Sequence, residues 1–391
     1  MNFEYLMPTR IINKKGVSSN IGYYAKDYHL KHVLIISDKG VEKAGLLTNI
    51  YSSLYDYQIE YETFYDVKPN PRDTDCNRIA SEFNNKPIDA IIAIGGGSVI
   101  DTAKAVSILC TNQGVIKDYE GMSLAEKPPL PILCIPTTAG TGSEVTCWSV
   151  ITDTTNHYKM GIGDYRIIPK LALLDVELTQ SLPAPVAAST GLDALTHAIE
   201  AYTCQIANPI TDGLALHAIK LIKENLAEAV NNRNEEAREN MLIASLMAGI
   251  AFGNADTAGV HCISEAIGGK YDTPHGVANA VFLPYMFHHN MEANFKRHAE
   301  VGFALGVDSD KSVEEAANET VEILLRLNQK FHIPLFKELE NVDQSDFQQL
   351  AETAVQSSSN PNNAKEMTVS DYVKVLEKAY RNSLNLNTDS K

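Results

Sequence analysis

Four short apolar runs stand out in the first half of the chain: residues 32–37 (HVLIIS), 90–94 (AIIAI), 131–136 (PILCIP) and 171–175 (LALLD). Each is too short for a helix, and each predicts a strand buried on both faces. Helical stretches separate them, and that alternation predicts a parallel sheet with helices on either side. From about residue 183 the pattern changes. In TDGLALHAIKLIKENLAEAV, Leu214, Ala218, Leu221, Ile222 and Leu226 fall on one helical face. Ala316, Val321, Leu324, Leu325 and Leu327 mark a second stripe. The expected fold is an α/β domain with a parallel sheet over residues 1–181 and an all-helical domain over 182–391. A cleft between the two suits a small ligand. The polar tail, 382–391, is expected to fray.

Composition narrows the function. The 391 residues suffice for two such domains, and 44% hydrophobic with 21% charged residues is ordinary globular usage. Acidic residues outnumber basic ones by 49 to 33, a net charge of −16, with no dense Lys/Arg block. Nucleic acid is therefore not an expected partner. The longest apolar run, 90–94, is far short of the ~20 residues of a membrane helix. The opening MNFEYLMPTR lacks the basic start and apolar stretch of a signal peptide. Six scattered cysteines without a C-x-x-C pair predict neither a disulfide framework nor a cysteine zinc site. A cytoplasmic protein is expected.

Candidate chemistry begins where the second strand ends. Residues 94–104 read IGGGSVIDTAK: a strand, three glycines, then a helix. Such a turn lets backbone N–H groups and a helix N-terminus approach a pyrophosphate. The spacing is not G-x-G-x-x-G, and a tight turn capped by Ser98 with Asp101 fits equally. A second loop, TTAGTGSE from Thr137 to Glu144, follows the third strand. Its hydroxyls and glycines suit a ribose or phosphate, or simply a capped helix start. Asp38 ends the first strand, where a carboxylate can accept from both adenosine ribose hydroxyls and repel an additional phosphate. A turn aspartate is the other reading.

Asp193 and His197 lie four apart in GLDALTHAIEAY, on one helical face. His261 lies in AGVHCISEAIGG, whose Gly268 and Gly269 predict a helix end. Thr273 and Pro274 predict the N-cap and first turn of the next helix, with His275 immediately after. Two facing hairpins of this kind bring three imidazoles and one carboxylate together, a set suited to Fe²⁺ or Zn²⁺ with room for a substrate oxygen. A surface Asp–His pair and two core histidines are the plainer alternative.

Taken together, GGGSVIDTAK, PTTAGTGSEVT, GLDALTHAIEAY and VHCISEAIGGKYDTPHGVANAVFLP strongly resemble the iron-containing (group III) alcohol dehydrogenases in order and spacing. The resemblance spans essentially the whole chain and is weakest toward its C-terminal end. It implies a Rossmann-like nucleotide-binding domain followed by a helical metal-binding domain, the dehydroquinate synthase-like architecture. It implies NAD across Gly96, Gly97, Ser98 and Thr138, with Asp38 near the adenosine ribose and Asn70 toward the adenine side. Thr137, Thr146, Lys159 and Leu178 match further cofactor-contact positions. Asp193, His197, His261 and His275 match the metal ligands, with iron the expected ion and zinc compatible. A small alcohol or aldehyde substrate and a homodimer, or a multiple of one, are also implied. One position departs from the family: Glu265 stands where many members carry a second histidine assigned to proton transfer. A buried carboxyl can relay protons if its pKa is raised. Two other functions are less consistent with the residues. A lyase of dehydroquinate synthase type needs several cations for a phosphorylated sugar acid, and the stretches around the ligands offer only Lys270. A non-catalytic nucleotide-binding or assembly protein has no need of an open metal site.

Overall fold

The computed structural model describes residues 2–384. Among them, nine strands are present: β1 (Arg10–Asn13), β2 (His32–Ile36), β3 (Glu60–Phe64), β4 (Ala90–Gly95), β5 (Gly121–Met122), β6 (Ile132–Pro136), β7 (Trp148–Asp153), β8 (Tyr158–Gly163) and β9 (Leu171–Leu174). Six form one sheet in the order β1-β9-β6-β4-β2-β3, and every pairing in it is parallel. The four apolar runs are its interior strands. Their side chains alternate between two cores, as the period of a strand requires. Leu34, Ile36, Ile91 and Ala93 meet α4 (Asp73–Phe83) and α5 (Gly97–Leu109) on one face. Val33, Ile35, Ile92 and Ile94 meet α1 (Ile21–Asp27) and α3 (Thr48–Asp56) on the other. The short helix α2 (Lys39–Lys43) follows β2.

The apolar pattern does not reveal the two edge strands or the second sheet. β1 and β3 are partly exposed and carry polar residues. β7 and β8 form an antiparallel hairpin, with β5 alongside β8. Ser149, Ile151, Met160 and Ile162 of this hairpin are buried, whereas Trp148, Val150 and Lys159 on its other face are only half-buried.

Beyond β9 the regular elements are helical: α6 (Ala184–Thr203), α7 (Pro209–Asn231), α8 (Glu235–Asn254), α9 (Gly259–Tyr271), α10 (His275–Asn290), α11 (Phe295–Leu305), α12 (Val313–Lys330), α13 (Phe347–Val355) and α14 (Val369–Arg381). One continuous apolar core joins α6 to α14. Helix α9 corrects an expectation. It does not end at Gly268 and Gly269 but runs through them, stopping only where Asp272 adopts a left-handed conformation (φ 56°). The glycines serve packing instead: a Cβ on Gly269 would lie 2.8 Å from the backbone of His157 and Tyr158, just before and within β8. The next helix begins at His275 with Pro274, not Thr273, as its N-cap.

Pro284 lies inside α10 and cannot donate to the carbonyl of Ala280. Asn328 of α12 donates to that carbonyl instead, at 2.6 Å. Of the polar tail, residues 385–391 lie outside the described residues, and Asn382 caps α14 with a left-handed backbone. All six cysteines are free, and all but Cys110 are buried. No single helix among the described residues is long and apolar enough to cross a membrane.

Candidate active site

The sheet order places two loops side by side. From β2 the chain moves outward to β3 and then returns to the other side of β2 as β4, so the order reverses between β2 and β4. Ligands of open α/β sheets bind beyond the strand ends at such a reversal. Asp38 follows β2 there, and Gly96, Gly97 and Ser98 follow β4. Gly96 is the N-cap of α5 and no side chain caps this helix, so its first N–H groups are not claimed by Ser98. Asp101 also has other partners, accepting from Ser143 Oγ at 2.6 Å and Val150 N at 3.1 Å. The Ser98–Asp101 capping alternative is thus absent. The glycines admit close approach from the neighbouring loop. A Cβ on Gly96 would lie 3.2 Å from Thr138, and one on Gly97 2.5 Å from Thr141.

The other cofactor candidates occupy varied surroundings. Asp38 caps α2, its Oδ1 accepting from Gly40 N (2.7 Å) and Val41 N (3.0 Å). Thr137 is buried and donates its N–H to Gly95 O, tying the two loops together. Thr146 is buried, and its hydroxyl accepts from Lys104. Leu178 lies in the apolar core with Val17, Ile94 and Ile135. Asn70, left-handed between Pro69 and Pro71, accepts from Lys159 Nζ at 2.9 Å and donates to Asp272 Oδ1 at 2.8 Å. It therefore links β8 to the turn just ahead of His275.

The helical domain supplies the second cluster. Asp193 and His197 share one face of α6, His261 lies near the start of α9, and His275 opens α10. One ligand atom from each falls within 4.8 Å of all the others. His197 Nε2 and His261 Nε2 are 2.9 Å apart, and His275 Nε2 is 3.7 Å from Asp193 Oδ1. Burial holds all three imidazoles neutral well into the acid range, pushing each pKa down to about 4 against the pull of Asp193. Burial works to raise the Asp193 carboxyl, but the facing imidazoles outweigh it and hold the group below its ordinary value. Phe252 stacks on His197 with ring centroids 4.4 Å apart.

This donor set fits a divalent metal. Three neutral nitrogens and one carboxylate converge at a spacing suited to four-coordinate Zn²⁺ or Fe²⁺. The acceptors already face a positive dipole: the Asn279 amide reaches Asp193 Oδ1 at 2.7 Å and lies 3.1 Å from both His261 Nε2 and His275 Nε2. Its Oδ1 is buried without a partner, as is His197 Nδ1.

Glu265 follows His261 by one turn of α9 and faces Lys159 of β8. Burial pushes its carboxyl up to about 7 against the lysine's opposing charge. Burial likewise brings Lys159 down to about 8, against the pull of Glu265.

Three contributors escape the sequence reading. Asn279 lies one turn beyond His275, and Glu200 seven residues after Asp193 on the same face of α6. Both offsets mark a shared helical face. Lys104 is fully buried, donating to Ser143 Oγ, Thr146 Oγ1 and Trp148 O. It fastens the hydroxyl-rich loop and β7 to α5.

Comparison with known proteins agrees with this geometry. The model of the iron-containing alcohol dehydrogenase family matches residues 8–176, and that of the family's C-terminal region matches residues 187–380. The chain is 37% identical to an NAD-dependent methanol dehydrogenase of Bacillus methanolicus over 96% of its own length and 99% of that protein. It is 38% identical to a 1,3-propanediol dehydrogenase of Citrobacter freundii, covering 94% and 97%. A crystal structure of 1,3-propanediol oxidoreductase superposes with a TM-score of 0.93 at 36% identity, covering 97% of this chain and all of that one. With both halves matched in sequence and in fold, the chain belongs to the iron-containing alcohol dehydrogenase family.

Proposed function

We propose that this oxidoreductase interconverts small primary alcohols or diols with their aldehydes, using NAD(H) and a divalent metal, with iron the family expectation. The observation that carries this is the convergence of Asp193, His197, His261 and His275. When bound, the metal supplies Lewis-acid polarisation of the substrate oxygen and the nicotinamide exchanges the hydride.

The chain's own residues bind and orient. The N–H groups opening α5 at Gly97 and Ser98 hold the pyrophosphate, with Gly96 giving room and Thr137 and Thr138 adding polar contacts from the facing loop. Asp38 takes the adenosine ribose. Lys159 and Asn70 serve the cofactor from β8 and the Pro69–Pro71 turn. Thr146 and Leu178, both buried, shape the cofactor face from beneath. The active-site cleft lies between the domains, taken as 1–181 and 182–391, where closure excludes water. Glu265 moves the proton, its carboxyl poised near neutrality beside Lys159. The six free cysteines support a cytoplasmic enzyme, and a homodimer is the assembly we assign from the family resemblance.

The test is NADH oxidation by protein reconstituted anaerobically with Fe²⁺, against propanal, lactaldehyde and 3-hydroxypropanal. Turnover abolished by a chelator is expected. No turnover with NADH and iron both bound would overturn the proposal.

A further inference from the structure

We infer that Glu200 is the positioning residue of the metal centre: its carboxyl group, held by two backbone N–H groups, fixes the tautomer and orientation of His261. The inference rests on the metal-dependent reading above and extends it to a residue that touches neither cation nor substrate.

Glu200 is 3% exposed. It projects from α6 toward the start of α9, where three donors meet it. Ala258 N donates to Oε2 at 3.0 Å, Val260 N donates to Oε1 at 2.6 Å, and His261 Nδ1 is bonded to Oε2. The start of α9 has no side-chain cap of its own, so Glu200 caps it from a neighbouring helix. Two of the three partners are backbone N–H groups, which only donate, so the carboxylate is engaged as an acceptor. His261 Nδ1 then carries the proton, and its Nε2 lone pair is left facing His197 Nε2 and Asn279. A carboxylate behind a ligating histidine fixes the tautomer and raises the basicity of the ligand.

The side chain that starts α9 is thus also the one that aims its metal ligand. A capping role alone would require only the two backbone contacts.

The experiment compares wild type, Glu200→Gln and His275→Ala, each stripped of metal and titrated with Co²⁺ against a fluorescent chelator. NADH binding is measured in parallel as a control for folding. The glutamine keeps the size of the side chain but loses its charge and replaces one acceptor oxygen with a donor. Glu200→Gln is expected to bind Co²⁺ about 10–100-fold more weakly, with an altered visible spectrum and NADH affinity unchanged. Wild-type affinity together with a wild-type spectrum would overturn the inference. If wild type itself bound Co²⁺ no better than His275→Ala, the metal centre would fall and the inference with it. Should Glu200→Gln not fold, ¹⁵N-histidine spectra of the Zn²⁺-loaded wild type decide the matter. A protonated Nδ1 and a ligating Nε2 on His261 are expected, and the reverse assignment overturns the inference.

Discussion

The two halves of the site are built in opposite ways. In the α/β half the centre of the proposed cradle is main chain, the N–H groups where β4 gives way to Gly96 and α5, with side chains around it. In the helical half the candidate ligands are side chains from α6, α9 and α10, three buried and His275 half-buried, converging on one point. A backbone cradle tolerates no added bulk but depends little on distant residues. A side-chain cage tolerates no lost donor and depends on the neighbours that aim each one. The halves should therefore fail differently when perturbed.

The largest effect is expected from His275→Ala. Losing a ligand removes several kcal/mol of electrostatic assistance, so activity should fall about a thousandfold or more while NADH titration stays near wild type. Full activity with metal still bound would remove His275 from the ligand set. Next comes Glu265→Gln, for which kcat should fall about a hundredfold. Its carboxyl sits at about 7, so oxidation, which needs the base form, rises in wild type as pH climbs through that value, and reduction falls. The glutamine variant should lose that limb, and an unchanged pH profile would exclude Glu265 as the relay. Gly97→Ala probes the cradle. Its new Cβ would press on Thr141, and NADH should bind about tenfold more weakly, or about 1.4 kcal/mol, with metal content unchanged. Equal affinity in a fluorescence titration would mean that the loops part freely. The smallest effect belongs to Asp38→Gly, which should shift the NADPH/NADH preference several-fold by removing a charge near the ribose. A constant ratio of kcat/KM values would place the ribose elsewhere.

The same contrast governs what could be read from the sequence. The four strands buried on both faces are legible because nothing in them needs to be polar. β3 is an edge strand reading EYETF, and β8 carries the charged Lys159 and glycines beneath Trp148, so exposure and close packing blur their pattern. The glycine loops are legible as a contiguous string. The candidate metal ligands are scattered over 83 positions from Asp193 to His275, and helical spacing left them open to plainer readings until the combined motifs of the resemblance joined them. Glu200 and Asn279 share helical faces with Asp193 and His275, but they stayed hidden because most of their partners lie on other helices, and spacing along one helix does not announce a helix–helix approach. Gly268 and Gly269 misled for a similar reason: they read as a stop signal, yet they are where α9 presses on β8.

Pro284 gives α10 a place in the order of assembly. Its ring leaves the Ala280 carbonyl to be met from α12, across 48 residues of chain. The helix that carries His275 and Asn279 thus completes its bonding only when a later segment has docked. In refolding, Asn328→Ala should delay recovery of metal uptake more than recovery of NADH binding.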